Sequence, residues 1–263
     1  MPYADINGAR LFYESLGDGT PLLFIHGGYG GIATTLAPRA PHAIRDVLPR
    51  DQIRTILYDR RNAGASSYGL EHYSTATLGA DALGLLDHLG IARAIIVGTS
   101  AGGPIALQLA LSTPERVIAL CLPNTGASLA SMERAQGKTR EALVMRSYSE
   151  GDRAVFEARK TSLRTPAVES ASEEDLFRCS VGEIRNFEAY LNIDFSARLG
   201  ELNMPVLIVH GTADQTVPFA WGEALHRAIP QSEFVPIEGG MHGIVSHPEA
   251  QKAIREWALR VRA

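Results

Sequence analysis

The apolar positions of this chain fall in short, dense runs separated by glycine-rich or polar stretches. Near the start, YADINGARLFYE (3–14) sets two strand-like runs on either side of Asn7-Gly8. That pair suits a type I′ hairpin turn, whose two central positions need positive φ. The run LLFI (22–25) follows without alternation, the pattern of a strand covered on both faces. It stops at His26 and the cluster GGYGG. A further strand-like run, IRTILYD, ends at Asp59. Over 74–91 the period changes. Leu78, Ala82, Leu85, Leu86 and Leu89 recur near every 3.6 residues, which predicts a helix closed by Gly90. RAIIVG (93–98) predicts a strand. GGPIALQLALSTPERV (102–117) predicts a helix that tolerates Pro104 in its first turn, and VIALCL (117–122) predicts another strand.

This rhythm of strand, loop and helix predicts a mostly parallel sheet with helices on both faces. It breaks between about Gly126 and Leu202, where polar and apolar residues mix at helical spacing. Phe187, Tyr190 and Leu191 fit one face there. The stretch reads as a helical insertion without a sheet of its own. The domain division expected is therefore a core of residues 1–125 and 201–263, with a helical cap, or lid, at 126–200. The rhythm resumes with PVLIVHG, a helix over Phe219 to Ala228, and SEFVPIE. A last helix begins after Ser246 or His247, with Pro248 in its first turn and Glu249 near its positive end.

Composition narrows the partners. The chain has 263 residues, 45% of them hydrophobic, and a formal net charge of -4 with no basic run. Such a chain buries a core without staples, and its charge argues against nucleic acid as a partner. Two cysteines make no disulfide framework. Cys121, inside an apolar run, is expected to be a buried small hydrophobe. No apolar run reaches the length of a membrane span, and the N-terminus lacks a basic-then-apolar leader pattern. The expected location is cytoplasmic, and the expected partner is a small molecule. The oligomeric state stays open.

The chemistry begins at IIVGTSAGG (95–103), where a strand-like run enters two glycines flanking a serine. G-x-S-x-G between a strand and a helix puts the serine on a tight turn, with its hydroxyl above the sheet. Ser100 is then a candidate nucleophile. A serine hydroxyl needs a base, and the base needs an orienting group. Of eight histidines, His242 in IEGGMHG follows the last strand on a glycine-rich loop, at the same sheet edge as Ser100. His210 ends a strand and reads as a packed or hydrogen-bonded residue. Asp214, in IVHGTADQTVP, leaves a strand at its C-terminal end and is the candidate acid. Asp59 is its rival, read as fixing its own loop by accepting backbone or arginine hydrogen bonds. Asn124 occupies another strand end where an acid could stand, but it is not ionised. The oxyanion donors expected are the backbone N–H groups of Ala101 and of Gly28 in the HGGYGG loop. A phosphate-binding glycine loop is disfavoured, because no G-K-[ST] follows. No metal-ligand cluster is visible, and the expected chemistry needs no cofactor.

Taken together, HGG (26–28), DRRNAGAS (59–66), GTSAGG (98–103), GTADQTVP (211–218) and GGMHG (239–243) give the chain a resemblance to the α/β-hydrolase superfamily. Within it, the chain resembles the small capped branch of esterases, lactonases, cofactor-free haloperoxidase-like and proline-iminopeptidase-like enzymes. The resemblance covers nearly the whole chain. It implies the α/β-hydrolase fold, with a mostly parallel eight-stranded sheet and a helical lid. It also implies a catalytic triad of nucleophile Ser100, acid Asp214 and base His242 in the family's chain order, with Gly28 and Ala101 as the oxyanion hole. Two positions depart from the family pattern. Tyr29 and Gly30 stand where many relatives carry proline after the HG pair, and Asn62 replaces the first glycine of D-x-R-G-x-G-x-S. Candidates for the substrate pocket are Tyr29, Phe156, Phe177, Phe187, Tyr190 and Met241. The four from the insertion fit its own core equally well.

The function expected is a serine hydrolase cleaving a carboxylic ester or lactone. One alternative is an amidase or aminopeptidase, for which SEEDLF (172–177) could supply an acidic pocket for a free amine. Others are hydrolysis of a C–C bond in a β-diketone-like substrate, perhydrolysis, and a slow-turnover ligand receptor on the same fold. A serine in place of a carboxylate nucleophile argues against dehalogenase and epoxide-hydrolase chemistry.

Overall fold

A computed structural model describes residues 2–28, 44–128, 135–163 (backbone only over 135–138) and 170–262. The chain opens with β1 (Tyr3–Ile6), β2 (Ala9–Leu16), β3 (Thr20–Ile25) and β4 (Ile53–Tyr58). Then come α1 (Thr75–His88), β5 (Ala94–Gly98), α2 (Gly102–Ser112) and β6 (Val117–Pro123). Three helices follow before the next strand: α3 (Ala135–Glu150), α4 (Asp152–Leu163) and α5 (Glu173–Glu188). The chain closes with β7 (Val206–Gly211), α6 (Phe219–Ala228), β8 (Ser232–Ile237) and α7 (Pro248–Val261).

The strands form one eight-stranded sheet in the order β1-β2-β4-β3-β5-β6-β7-β8. β2 runs antiparallel to both its neighbours, and every other pairing is parallel. The hairpin turns at Asn7-Gly8, both at positive φ. The unbroken apolar runs belong to strands buried on both faces. Leu23 and Ile25 of β3 join the core beside α1 and α2, while Leu22 and Phe24 join the opposite core beside α7. Strand β5 divides in the same way, with Ile96 on one side and Ile95 and Val97 on the other. Full burial of one such side chain contributes about 1.5 to 3 kcal/mol, so this sandwich of helix, sheet and helix holds the strand ends in place. Cys121 and Cys179 are free and buried, and burial pushes both thiols up, Cys179 to about 12.

The sequence pattern overran one helix. Its apolar spacing continues to Val117, but α2 stops at Ser112 and a 3-10 turn covers Pro114–Arg116. Proline disfavours helical backbone in the residue before it, and Thr113 closes the helix by donating its hydroxyl to Leu109 O, 3.0 Å. Among the described residues, no helix is long and apolar enough to cross a membrane.

The strand order reverses between β3 and β5, since β3 continues to β4 on one side and β5 continues to β6 on the other. In open parallel sheets, the crevice beyond the C-terminal strand ends at such a point is where ligands bind. The loops leaving β3 and β5 are those of Gly28 and Ser100.

Candidate active site

Ser100 has φ +51°, a left-handed backbone that turns β5 sharply into α2. The small residues around it are required by close approach. A Cβ on Gly98 would lie 2.5 Å from Gly102 O, and one on Gly102 would lie 2.2 Å from Ile25 O. The turn is pinned further by Ser100 N–H donating to Pro123 O, 3.1 Å, and by Thr125 Oγ1 donating to Ser100 O, 2.7 Å. The loop after β3 meets the same turn, since a Cβ on Gly27 would come within 2.9 Å of Ser100 Cβ.

Two long-range contacts complete the arrangement. Ser100 Oγ lies 2.9 Å from His242 Nε2, and His242 Nδ1 lies 2.9 Å from Asp214 Oδ2. The side chain of Asp214 is fully buried, whereas that of His242 is about one third exposed. Asp214 Oδ1 accepts from the N–H groups of Thr216 (2.8 Å) and Val217 (2.9 Å). Burial by itself would raise the Asp214 carboxyl. The hydrogen bonds from His242, Val217 and Thr216 outweigh it and hold the group below its ordinary value of 3.8. Asp214 is therefore ionised near neutral pH and presents an acceptor to His242 Nδ1. That favours the proton on Nδ1 and leaves Nε2 free to accept one from Ser100.

The loops that carry these side chains are tied to each other. Ala213 N–H donates to Gly240 O at 3.0 Å, and Gly239 N–H donates to Thr212 Oγ1 at 2.8 Å. Asn124, fully buried at positive φ, contributes most. Its amide nitrogen donates to Met241 O (3.1 Å) and His242 O (2.8 Å), and its amide oxygen accepts from Gly211 N–H (3.0 Å). Sequence reasoning noted only that Asn124 is not ionised. Its position at a strand end was the one available signal that it belongs to the site. His210 is fully buried and donates through Nε2 to Val217 O at 3.0 Å, with Asp214 Oδ2 3.7 Å away. Burial depresses its imidazole value, so it stands as a neutral packing partner of the acid loop.

The candidate oxyanion donors border the same space. Among the described residues, nothing accepts the N–H of Ala101, and Gly28 has φ +75° beside the Ser100 turn. The pocket candidates fare differently. Tyr29 lies outside the described residues. Phe156 is wholly excluded from solvent and stacks edge to face on Phe177, centroids 5.5 Å apart, in a cluster with Leu176 and Val181. Phe187 packs with Val144, Val155 and Ile184. These three rings form part of the helical segment's own core. Helices inserted away from the sheet bury their apolar faces on one another. Tyr190 is also buried, with its hydroxyl donated to Ala101 O at 2.7 Å, behind the Ser100 turn. Met241 is exposed beside His242.

Asp59 lies apart from this chain of contacts. It is buried and accepts from Ala65 N–H at 2.7 Å, while Ser66 Oγ donates to its carbonyl at 2.5 Å. Asn62 of the same loop has φ +57°, which accounts for the glycine usual at that position. We expect Asp59→Asn to lower stability by about 1 to 3 kcal/mol while activity per titrated site stays close to that of the parent. Urea unfolding beside active-site titration checks this. A large loss of activity in a stable Asp59→Asn protein would transfer the acid role to Asp59. Among the described residues, no group of three or more His, Cys, Asp or Glu is placed to hold a metal ion.

Comparison with known proteins gives consistent matches. A family profile described as alpha/beta hydrolase fold matches residues 20–143 and 116–248. The putative carbamate hydrolase RutD of Azorhizobium caulinodans is 29% identical over 252 residues, covering 92% of this chain and 91% of that protein. The 3-oxoadipate enol-lactonase 2 of Acinetobacter baylyi is 29% identical over 209 residues, 76% of each chain. Among solved structures, a thermophilic esterase from Thermogutta terrifontis superposes with a TM-score of 0.76 at 26% identity, covering 100% of both chains.

Proposed function

Because the chain belongs to the α/β-hydrolase family, we propose that it is a serine hydrolase cleaving a carboxylic ester or lactone through an acyl-enzyme on Ser100. The observation that carries this reading is the unbroken contact from Ser100 Oγ through His242 to the buried Asp214. It stands at the strand ends beside the sheet's reversal point.

The substrate carbonyl carbon approaches Ser100 Oγ. As Oγ attacks, its proton passes to His242 Nε2, and Asp214 stabilises the imidazolium that forms. The carbonyl oxygen becomes an oxyanion between the N–H groups of Ala101 and Gly28. His242 then gives its proton to the leaving alkoxide, and the C–O bond breaks. A water molecule, deprotonated by His242, attacks the acyl carbon; His242 then returns the proton to Ser100 Oγ as the acyl–Oγ bond breaks and the acid leaves. In a lactone, the leaving alcohol stays attached to the acyl chain. Helices α3, α4 and α5 act as a cap over this space.

A second reading, carbamate cleavage, is favoured by the likeness to RutD, a putative carbamate hydrolase. The same triad serves it, since a carbamate carbonyl is attacked in the same way but is less electrophilic. The test is kcat/KM for p-nitrophenyl acetate, p-nitrophenyl butyrate, a γ-lactone and a simple alkyl carbamate. The proposal expects repeated turnover, with the esters or the lactone ahead of the carbamate. A higher value for the carbamate would move the assignment to the second reading. A single turnover on every substrate would favour a receptor.

A further inference from the structure

The two candidate oxyanion donors have a common property. Each N–H belongs to a peptide whose own carbonyl is hydrogen-bonded within the protein. The Ala101 N–H shares its peptide with Ser100 O, which accepts from Thr125 Oγ1 and from Gly103 N–H at 3.0 Å. The Gly28 N–H shares its peptide with Gly27 O, which lies 2.7 Å from His26 Nδ1 and 3.4 Å from an Arg60 guanidinium nitrogen. That same nitrogen also donates to Gly28 O. The other terminal nitrogen of Arg60 donates to the Tyr190 hydroxyl at 2.6 Å, and this hydroxyl donates to Ala101 O. One guanidinium and one phenol thus join both sides of the oxyanion site from behind.

Arg60 differs from its half-buried neighbour Arg61 and from the buried Arg185. Arg61 pairs with Asp81 and Arg185 with Asp152. Arg60 is 1% exposed and, among the described residues, has no carboxylate within 4.0 Å; its Nε has no partner. An unpaired buried cation is costly for stability. Its positive charge lies behind the peptides that face a developing negative charge, where fixed dipoles and charges act most strongly. The guanidinium contact at Gly27 O also polarises the Gly28 N–H of the same peptide and strengthens it as a donor. We propose that Arg60 and Tyr190 are positioning residues for the oxyanion site, a buried brace that fixes Gly28 and Ala101 through their carbonyls and polarises the Gly28 N–H. Because Tyr190 lies two residues after the end of α5, the brace also ties the helical segment to the Ser100 turn.

This inference rests on the serine-hydrolase reading, and its test separates the two. Tyr190→Phe removes one hydroxyl, and Arg60→Met removes the charge. Each variant is compared with the parent by phosphonate titration of active sites, thermal melting, kcat and KM on p-nitrophenyl butyrate, and binding of butaneboronic acid. The boronic acid becomes a tetrahedral anion on the serine and so reports the oxyanion site. The expected result for Tyr190→Phe, per titrated site, is a fall in kcat of about 10- to 100-fold at nearly constant KM. Boronate affinity should fall in parallel, with a modest drop in melting because Arg60 and Ala101 O lose a buried partner. A purely structural role would lower melting and the titre of sites, leaving kcat and boronate affinity per site at parent values, and that result overturns the proposal. If Arg60→Met fails to fold, Tyr190→Phe alone decides. A parent protein that neither turns over ester nor binds boronate removes the serine-hydrolase reading, and the brace falls with it.

Discussion

Ser100→Ala is expected to lower kcat by about a million-fold, the scale seen when a triad nucleophile is lost, while leaving the fold in place. The substitution deletes one oxygen and its 2.9 Å contact with a partly exposed imidazole. It does not relieve the turn. Alanine at φ +51° meets the same left-handed penalty of about 1 to 2 kcal/mol that serine does, so the difference in stability is small. The close contacts of Gly98 and Gly102 stay as they are. Ester turnover measured beside a circular dichroism melt checks both halves. Retained activity in clean, folded Ser100→Ala protein would remove Ser100 from the chemistry.

Asp214→Asn is expected to cost about 10,000-fold in kcat, for a reason the hydrogen bonds make specific. Oδ1 of Asp214 accepts two backbone N–H groups, from Thr216 and Val217. An asparagine there keeps its amide oxygen on that side and turns its NH2 toward His242 Nδ1. Facing a donor, Nδ1 becomes the acceptor and the ring proton moves to Nε2. Nε2 then has no lone pair to take the Ser100 proton. The same substitution should alter acid stability. Asp214 has a folded-state value below its unfolded one, so the stability it contributes is present above about pH 4. It is lost as pH falls through the folded value. Urea unfolding from pH 7 down to pH 3 should show a steeper loss in the parent than in Asp214→Asn. Equal slopes would mean that the carboxylate is not held as the hydrogen bonds indicate.

These side chains were legible because local pattern and long-range geometry agree at them. The unalternating runs of β3, β5, β6 and β7 are strands covered on both faces, and such strands in series leave few ways to arrange a sheet. Once the strand ends are known, the loops after them must share one edge, which places Ser100, Asp214 and His242 together. What stayed hidden depends on contacts that no local window contains. Asn124 holds a carbonyl 118 positions further along the chain, and its own segment shows only a polar residue after a strand. Arg60 looks like one of two adjacent arginines in a loop. Only the folded chain separates Arg61, paired with Asp81, from Arg60, turned toward the carbonyls of Gly27 and Gly28. The aromatic residues of the helical segment were ambiguous for the opposite reason. Helical spacing gives an apolar face but not what it covers, and Phe156 and Phe177 cover each other. The end of α2 was a matter of local chemistry. Apolar spacing ran past Ser112, and the backbone restriction before Pro114 decided where the helix stopped.

The central claim is that Ser100 is an activated nucleophile that turns over an acyl group. Its most direct test is intact mass of the protein after a fluorophosphonate, with peptide mapping, beside turnover of p-nitrophenyl butyrate by the same preparation. The account predicts one adduct per chain, located on Ser100, and complete loss of a multiple-turnover esterase activity in step with labelling. Full labelling elsewhere, or ester turnover that persists with Ser100 fully modified, would contradict it.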